Sequence, residues 1–473
     1  MTHLRLHNGV QYTVQSLIDT VVGPSDYVQH FFDTFKPADT LIGRDIFEDK
    51  AEIFYQHAFG EDSLNRINAI KSVGNIDFLE KDVPYVVEAY RKYEFEEDTE
   101  QEYREDLIMT LGNVEVQAAY DFLYEVYDEN NFNSDLQFIV LKCFSYTETN
   151  EAYDAIKNLL LTNPPFTEKN SKLQFFDNLY DSLELAHNYY PEMLEMVQYS
   201  DYHPYVMELL ADGYLKDIFE FSDFKSKKSS IFRNANIELK RTVAAQNENG
   251  DQNRYNYYSV NQYKQYHNLF LDYYTLMCGF KANGDKEAEK FFEDIYRIED
   301  KKFQVEAEII HHKLGLPIDT AVINEVSRDD QYRVWVYNRL EDEEMLEFLD
   351  PDITQEDIAF SLLYYRDYDE EEDTVAFVRK VAVSNGKEEG YIYFFKRKAE
   401  NKKNWMIDYV GLMPTDENEF KTTLIDTKKD LSFKTDKEME ETIERTIEIF
   451  ELEHRKRVQL DSYDFGGLFG GLF

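Results

Sequence analysis

Positive charge is scarce in this chain, and that scarcity excludes the most. It carries 51 Lys and Arg against 94 Asp and Glu, for a net charge of −43. Nucleic-acid binders need a basic footprint, and so do proteins that sit on anionic lipid. The balance favours solubility and cationic partners or ions, and its plainest reading is a solvated acidic surface. Cysteine occurs twice, at Cys143 and Cys278, both in apolar helical contexts. Two distant thiols exclude a disulfide framework and CxxC chemistry, and both read as core residues. They are compatible with a reducing compartment without proving one. No apolar run is long enough to cross a membrane as a helix, and no signal peptide opens the chain. No GxGxxG, Walker A or GxSxG motif occurs.

What is present is aromatic and helical. The chain has 473 residues, 43% hydrophobic and 15% aromatic. That is too long for one compact core and too apolar for wholesale disorder, so it implies two or three domains or one elongated array. Tyr (36) and Phe (35) dominate over Trp, found only at Trp335 and Trp405, so wide gaps between helices are filled by rings. His3–His7 and Val10–Val14 around Asn8-Gly9 read as a β-hairpin on a type I′ turn. A chain that begins in a strand suggests a trimmed or processed piece, in which case the missing signal says nothing of location.

Two Gly-Asn turns, Val73–Asn75 and Leu111–Asn113, stand 38 residues apart between runs of helical apolar spacing. Helix pairs at a period of about 40 residues mark HEAT- or armadillo-like solenoids. Four pairs are expected: 63–73 with 83–93, 102–111 with 115–127, 134–144 with 150–161, and 172–186 with 191–199. In the second pair Leu107, Ile108 and Leu111 face Ala119, Phe122, Leu123 and Val126. Gly112 is expected as a C-cap residue with positive φ, and Asn113 as the next helix's cap. Ser145 replaces glycine in the third pair, and Pro164-Pro165 interrupts the series. The competing reading is an ordinary helical bundle with coincidental turns.

The expected fold is therefore mainly α: an irregular HEAT-like α-solenoid with a small C-terminal α+β module. Its divisions are a hairpin and lead-in at 1–44, repeats at 45–246, and an Asn-rich linker at 247–261. A second helical segment at 262–370, a sheet with a covering helix at 371–460 and a flexible tail at 461–473 complete it. Further helices are expected at 205–221, 231–245, 262–280, 286–298, 303–314 and 357–365. Acidic Asp367–Asp373 marks the boundary before the sheet. Val375, Phe377, Val381 and Val383 share one face of a first strand interrupted by Arg379, 391–397 and 405–412 follow, and Thr422–Asp426 is a candidate fourth. The last helix, about 436–458, opens on a Thr435/Glu438 capping box, and its stripe of Met439, Ile443, Ile447 and Phe450 suits the sheet.

Candidate chemistry is thin. Glu308 and His312 stand at i, i+4 beside His311, a spacing that can ligate a metal, although a surface pair is commoner. The acidic runs 96–102 and 367–373 lack the spacing of a structured calcium loop. No catalytic residue, cofactor or metal is assigned. Lys396, Arg397 and Lys398, with Lys402 and Lys403, gather around one hairpin; Arg455–Arg457 end the last helix. They form a basic face for the acidic array or an acidic partner, or else lysines that protect a sheet edge. The tail carries two GGLF units, placing Phe465, Leu468, Phe469, Leu472 and Phe473 on glycine spacers. These are anchors for a groove, or a frayed end.

Two stretches, Phe35–Phe47 followed by Asp62-Ser-Leu, and Gly390–Lys398 with Asn404–Leu412, resemble the C-terminal helical region of long TraB/GumN-type proteins of Bacteroidota. The metalloprotease chemistry of that family belongs to the TraB domain, which has no counterpart here, so no catalytic residue carries over. The resemblance implies an accessory region and a bacterial cell-envelope location; without it the expectation is cytoplasmic. The leading expectation is a non-enzymatic helical-repeat scaffold binding a protein or peptide, through its concave face or its tail. The alternatives are an accessory region of an envelope hydrolase, or an enzyme of unrecognised type with a carboxylate-rich cleft.

Overall fold

In a computed structural model the protein is mainly helical, with a small antiparallel sheet toward its C-terminus. The structure describes residues 2–7, 10–18, 23–37, 48–92, 100–167, 170–248, 260–364, 373–384, 389–399, 404–422 and 431–456. The Asn8-Gly9 turn, the linker and the tail lie outside them. The chain divides into two compact units: Asp45–Phe303 with Ile310–Leu316, and Met1–Arg44 with Gln304–Ile309 and Pro317–Phe473.

In chain order, β1 (Thr2–His7) pairs antiparallel with β2 (Val10–Gln15), and α1 (Asp26–Thr34) follows. The first helices of the all-helical unit are α2 (Lys50–Ala58), α3 (Ser63–Lys71), α4 (Val83–Lys92), α5 (Glu100–Met109) and α6 (Gln117–Glu129). Next come α7 (Ser134–Thr147), α8 (Asn150–Thr162), α9 (Asn170–Asp181), α10 (Leu183–Ala186) and α11 (His203–Leu215). The unit continues with α12 (Phe221–Phe224), α13 (Lys228–Glu248), α14 (Val260–Ala282) and α15 (Lys286–Ile295). Then α16 (Lys301–Lys313), α17 (Thr320–Ser327), α18 (Arg333–Asp342) and α19 (Gln355–Tyr364) lead to β3 (Asp373–Ser384), β4 (Glu389–Ala399), β5 (Trp405–Met413), β6 (Leu431–Phe433) and α20 (Asp436–Lys456).

Side-chain caps start many of these helices. Asn133, Thr149, Asp285 and Asp319 each accept a backbone N–H from the first turn of α7, α8, α15 and α17. The helices of the first unit stack in two rows. In one row α5 packs on α7, α7 on α9, α9 on α11 and α11 on α14; in the other α4 packs on α6. Polar links join consecutive pairs at a recurring sequence separation. Tyr127 Oη donates to Asn163 O (2.7 Å), Lys142 Nζ to Gln174 Oε1 (2.8 Å) and Asn178 Nδ2 to Ser145 Oγ (2.8 Å). Those three links span 36, 32 and 33 residues. Rings fill the space between neighbours in the first row: Phe138, Phe175, Phe176 and Tyr202 form one interlocked group, all buried.

The turns differ from expectation. Gly112 does not adopt positive φ; the Gly residues that do, among the described residues, are Gly23, Gly284 and Gly315. What marks position 112 is crowding, because a Cβ there would lie 3.3 Å from Cys143 O, Met109 O and Tyr146 Cβ, so a larger residue needs its neighbours to give by a few tenths of an ångström. Asn113 caps nothing: α6 starts from Val116 without a side-chain cap. Val73–Asn75 is itself a short 3₁₀ turn, and a Cβ at Gly74 would meet open space. The expected helix 191–199 is a 3₁₀ segment, Glu192–Gln198.

In the other unit the hairpin rests on α1. Arg5 donates to Phe32 O and Phe35 O, and His3 stacks edge-on against Phe32 at 4.6 Å. The sheet order is β3-β4-β5-β6, all antiparallel. One face (Tyr393, Phe395, Val410, Met413) packs on Val334 and Tyr337 of α18 and Ile358, Ala359 and Leu362 of α19. The other (Ile392, Phe394, Ile407, Tyr409, Leu412) is covered by Met439, Ile443 and Ile447 of α20; the side chain of Phe450 lies outside the described residues. Burial on both faces explains why β5 reads as a nearly unbroken apolar run. β3 carries a register shift between Phe377 and Arg379. The extra residue turns the strand over, so Val375 and Phe377 face the α18/α19 side while Val381 and Val383 face α20, instead of sharing one face. The fourth strand is Leu431–Phe433; the Thr422–Asp426 candidate lies mostly outside the described residues. The Thr435 cap holds, with Glu438 N donating to Thr435 Oγ1 (3.2 Å), but the Glu438 carboxylate reaches Lys434 N, one residue short of a capping box.

Candidate functional site

One group of polar side chains forms where α9, α11 and α14 pack in series. Helical spacing places Tyr205, Glu208 and Asp212 on one stripe of α11, since residues three and four apart share a face. Tyr180 of α9 reaches across and donates its hydroxyl to Glu208 Oε2 at 2.8 Å and Tyr205 O at 3.3 Å. Asp272 of α14 completes the group. Burial pushes its carboxyl well above the usual carboxylate range, and the negative charges of Glu208 and Asp212 add to the shift. Tyr180 is raised for the same reasons, desolvation first and Glu208 next.

Two lysines lie near this group. Lys216 approaches Asp212 at 3.7 Å, one turn along the same helix. Lys172 sits over the Tyr205 ring (5.6 Å) and reaches Asp201 at 3.7 Å, while Tyr205 stacks on Phe176 at 4.6 Å. On the flank of α11, His203 Nε2 pairs with Tyr273 Oη, which also accepts from Asn234 Nδ2 at 3.1 Å. Desolvation, then the nearby Arg241 charge, lowers the His203 pKa, so the ring is neutral near pH 7. The face thus presents the Glu208 and Asp212 carboxylates beside the Tyr180 hydroxyl. No group of three or more His, Cys, Asp or Glu among the described residues has the geometry to hold a metal ion. Carboxylates beside a hydroxyl are groups that accept from ammonium or guanidinium donors.

The residues singled out from the sequence lie elsewhere. Arg397 is engaged inside the sheet: its Nε donates to Asp408 Oδ2 at 2.8 Å, beside the Phe395 face. Lys396 and Lys398, on the opposite face of β4, lie over the indole of Trp405 at 5.4 and 5.8 Å. Phe465, Leu468, Phe469, Leu472 and Phe473 lie outside the described residues, as do Lys402 and Lys403. The Glu308 carboxylate accepts the Asp319 backbone N–H (2.8 Å), which fixes the start of α17. Cys143 is buried with its thiol on Ile108 O, and burial raises its pKa; Cys278 is buried too. The α9/α11/α14 carboxylates escaped the sequence reading because Tyr180, Glu208 and Asp272 are scattered over more than ninety positions. Only the stacking of three helices brings them together.

Comparison with protein-family models, with curated proteins and with solved structures returns no match. No helix among the described residues is long and apolar enough to cross a membrane.

Proposed function

We propose that the chain is a non-enzymatic helical-repeat scaffold that binds a protein partner, and that basic side chains of the partner dock on the α9/α11/α14 face. The observation that carries this reading is the recurrence of links between helix pairs at 32 to 36 residues. Stacked pairs held in this way present one continuous row of helices, the kind of extended surface that solenoid proteins use for binding. Asp272 supplies the chemistry. A lysine or arginine arriving beside it offsets the repulsion from Glu208 and Asp212, so binding expels a proton and tightens as pH rises.

The test is affinity capture from the native source with the wild-type chain and with a Glu208→Gln/Asp212→Asn/Asp272→Asn variant. A synthetic Arg/Lys-rich peptide is titrated in parallel at two pH values. The expected result is one stoichiometric partner lost from the variant and peptide binding weakened at least tenfold. An unchanged partner set, with peptide affinity indifferent to the substitutions, would end the proposal.

The accessory-region reading rests on the TraB/GumN-type resemblance. Its Gly390–Lys398 and Asn404–Leu412 stretches are β4 and β5, and most of its Phe35–Phe47 stretch lies outside the described residues. An upstream TraB-like domain in the same reading frame would favour it over a free-standing scaffold.

A further inference from the structure

The loops that enter α7, α9 and α11 lie along one edge of the stacked helices, and each carries an outward aromatic ring. Phe132 is fully exposed, Phe166 is 46% exposed and Tyr199 37%. They stand 34 and 33 residues apart, one per repeat. Bonds between successive loops make the edge continuous. Asn163 Nδ2 donates to Asn131 Oδ1 (2.7 Å), Phe166 N to Ser134 Oγ (3.1 Å) and Thr167 Oγ1 to Asp135 Oδ1 (2.7 Å). Phe166 then meets Tyr199 edge-on at 5.6 Å. A fully solvated Phe between Asn131 and Asn133 contributes nothing to the core, and a ladder of such rings is an interaction surface rather than scattered apolar exposure.

One segment of the same chain repeats in kind. From Phe465 onward the tail is uncharged in its side chains and places Phe465, Phe469 and Phe473 four residues apart on Gly-Gly spacers. Four extended residues reach about 13 Å. Adjacent packed helices stand about 8–10 Å apart. Glycine lets the backbone shorten that step, so three tail rings on adaptable spacers match three edge rings in number. The 17 residues from 457 to 473 reach at most about 60 Å beyond α20, enough to extend the anchors away from their own sheet. The edge around the rings is built from Asn131, Asn163 and Pro164, and an uncharged tail suits it better than a charged peptide does.

We infer that the aromatic edge Phe132–Phe166–Tyr199 is the docking site for the Phe465–Phe473 tail of a second copy of this chain. The contact is head-to-tail: each copy offers one edge and one tail, so association is open-ended rather than closed at a dimer. The inference does not depend on the α9/α11/α14 carboxylates, and its test leaves them untouched. At −43 per copy the molecules repel, so added salt strengthens the association.

Sedimentation velocity on full-length chains tests it by complementation. One variant loses the edge (Phe132→Ser, Phe166→Ser, Tyr199→Ser) and the other loses the tail rings (Phe465→Ser, Phe469→Ser, Phe473→Ser). The wild type is expected to grow with concentration beyond a dimer, and each variant alone to stay monomeric. An equimolar mixture of the two should stop at a dimer, because one intact edge meets one intact tail. Phe132→Ser alone, at a position free of packing, should weaken association about three- to tenfold, the value of one aromatic pair. Unchanged circular dichroism confirms that the variants fold. A wild-type chain that stays monomeric at high concentration and salt, as it would if the tail occupied its own edge, overturns the inference. So does association in which either triple variant behaves as wild type.

Discussion

The helical unit and the sheet-bearing unit use their aromatic residues under different rules. Between stacked helices, tyrosines reach across to the next helix pair and spend their hydroxyls there, as Tyr127 does on Asn163 O and Tyr180 on Glu208. Each contact involves residues about one repeat apart, so every pair depends on its neighbours and on little else. In the sheet, both faces are closed by apolar side chains, and polar side chains are held between them. Arg397 holds Asp408, and Gln355 donates from one amide to Pro414 O, Asp416 O and Glu419 O while accepting from Tyr393 Oη. Damage in the first case should spread along a row, and in the second through one core.

The two units can be read separately. Both tryptophans, Trp335 and Trp405, belong to the sheet-bearing unit, so indole fluorescence reports on it alone, whereas far-ultraviolet circular dichroism is weighted toward the helices. The largest expected effect is Asp408→Ala. Asp408 is buried beside a guanidinium that is itself only 17% exposed, so removal strands a charge and should cost about 3–5 kcal/mol. Denaturant titration should show the fluorescence midpoint falling sharply while most helical signal keeps its own midpoint. The double change Arg397→Met/Asp408→Leu should recover most of the loss. A single midpoint that moves in both signals would break the comparison.

The same contrast explains what the sequence made legible. Helix positions in the array followed from apolar spacing, and α3 to α8 fall within a few residues of expectation. The strands β3 to β5 were equally visible from alternation and aromatic content. Missed were α1, α17 and α18. α1 and α18 are rich in aromatic or charged residues and α17 is only eight residues long, and the apolar positions of α18 make sense only against partners remote in sequence, as Val334 and Tyr337 do against Val410 and Met413. The β3 face assignment failed because one inserted residue at the bulge inverts alternation, which no pattern count detects. Gly112 was marked correctly as special and for the wrong reason, since backbone crowding by α7 sets it apart and not φ. The site was the least legible, because the shared environment of Tyr180, Glu208 and Asp272 depends on helix stacking.

Gly112 and Gly74 sharpen the comparison inside the array. Alanine at 112 must push its Cβ against Cys143 O and Met109 O, two backbone atoms that cannot swing away, so a loss of about 1–2 kcal/mol is expected. Alanine at 74 meets open space without positive φ and should gain about 0.5 kcal/mol by restricting the unfolded chain. Circular dichroism melts should show the two shifts with opposite sign, and indole fluorescence should follow neither. Equal shifts would mean that both turns serve one structural role after all.

The remaining effect belongs to Asp272→Asn, and its value lies in its pH dependence. The carboxyl is raised above its unfolded value, chiefly by desolvation and then by Glu208 and Asp212. The folded chain therefore keeps a proton that the unfolded chain has released. Its contribution to stability is complete below the unfolded pKa, near 4, and declines as pH climbs toward the folded value. Asparagine has no proton to lose, so the variant should gain steadily on the wild type as pH rises above the unfolded carboxylate value, near 4. The difference should shrink again once a basic peptide is bound, because a cation beside Asp272 makes its ionised form welcome. Parallel stability curves at all pH values would mean that Asp272 is solvated like any surface carboxylate, and the charge argument for a basic partner on this face would fall with it.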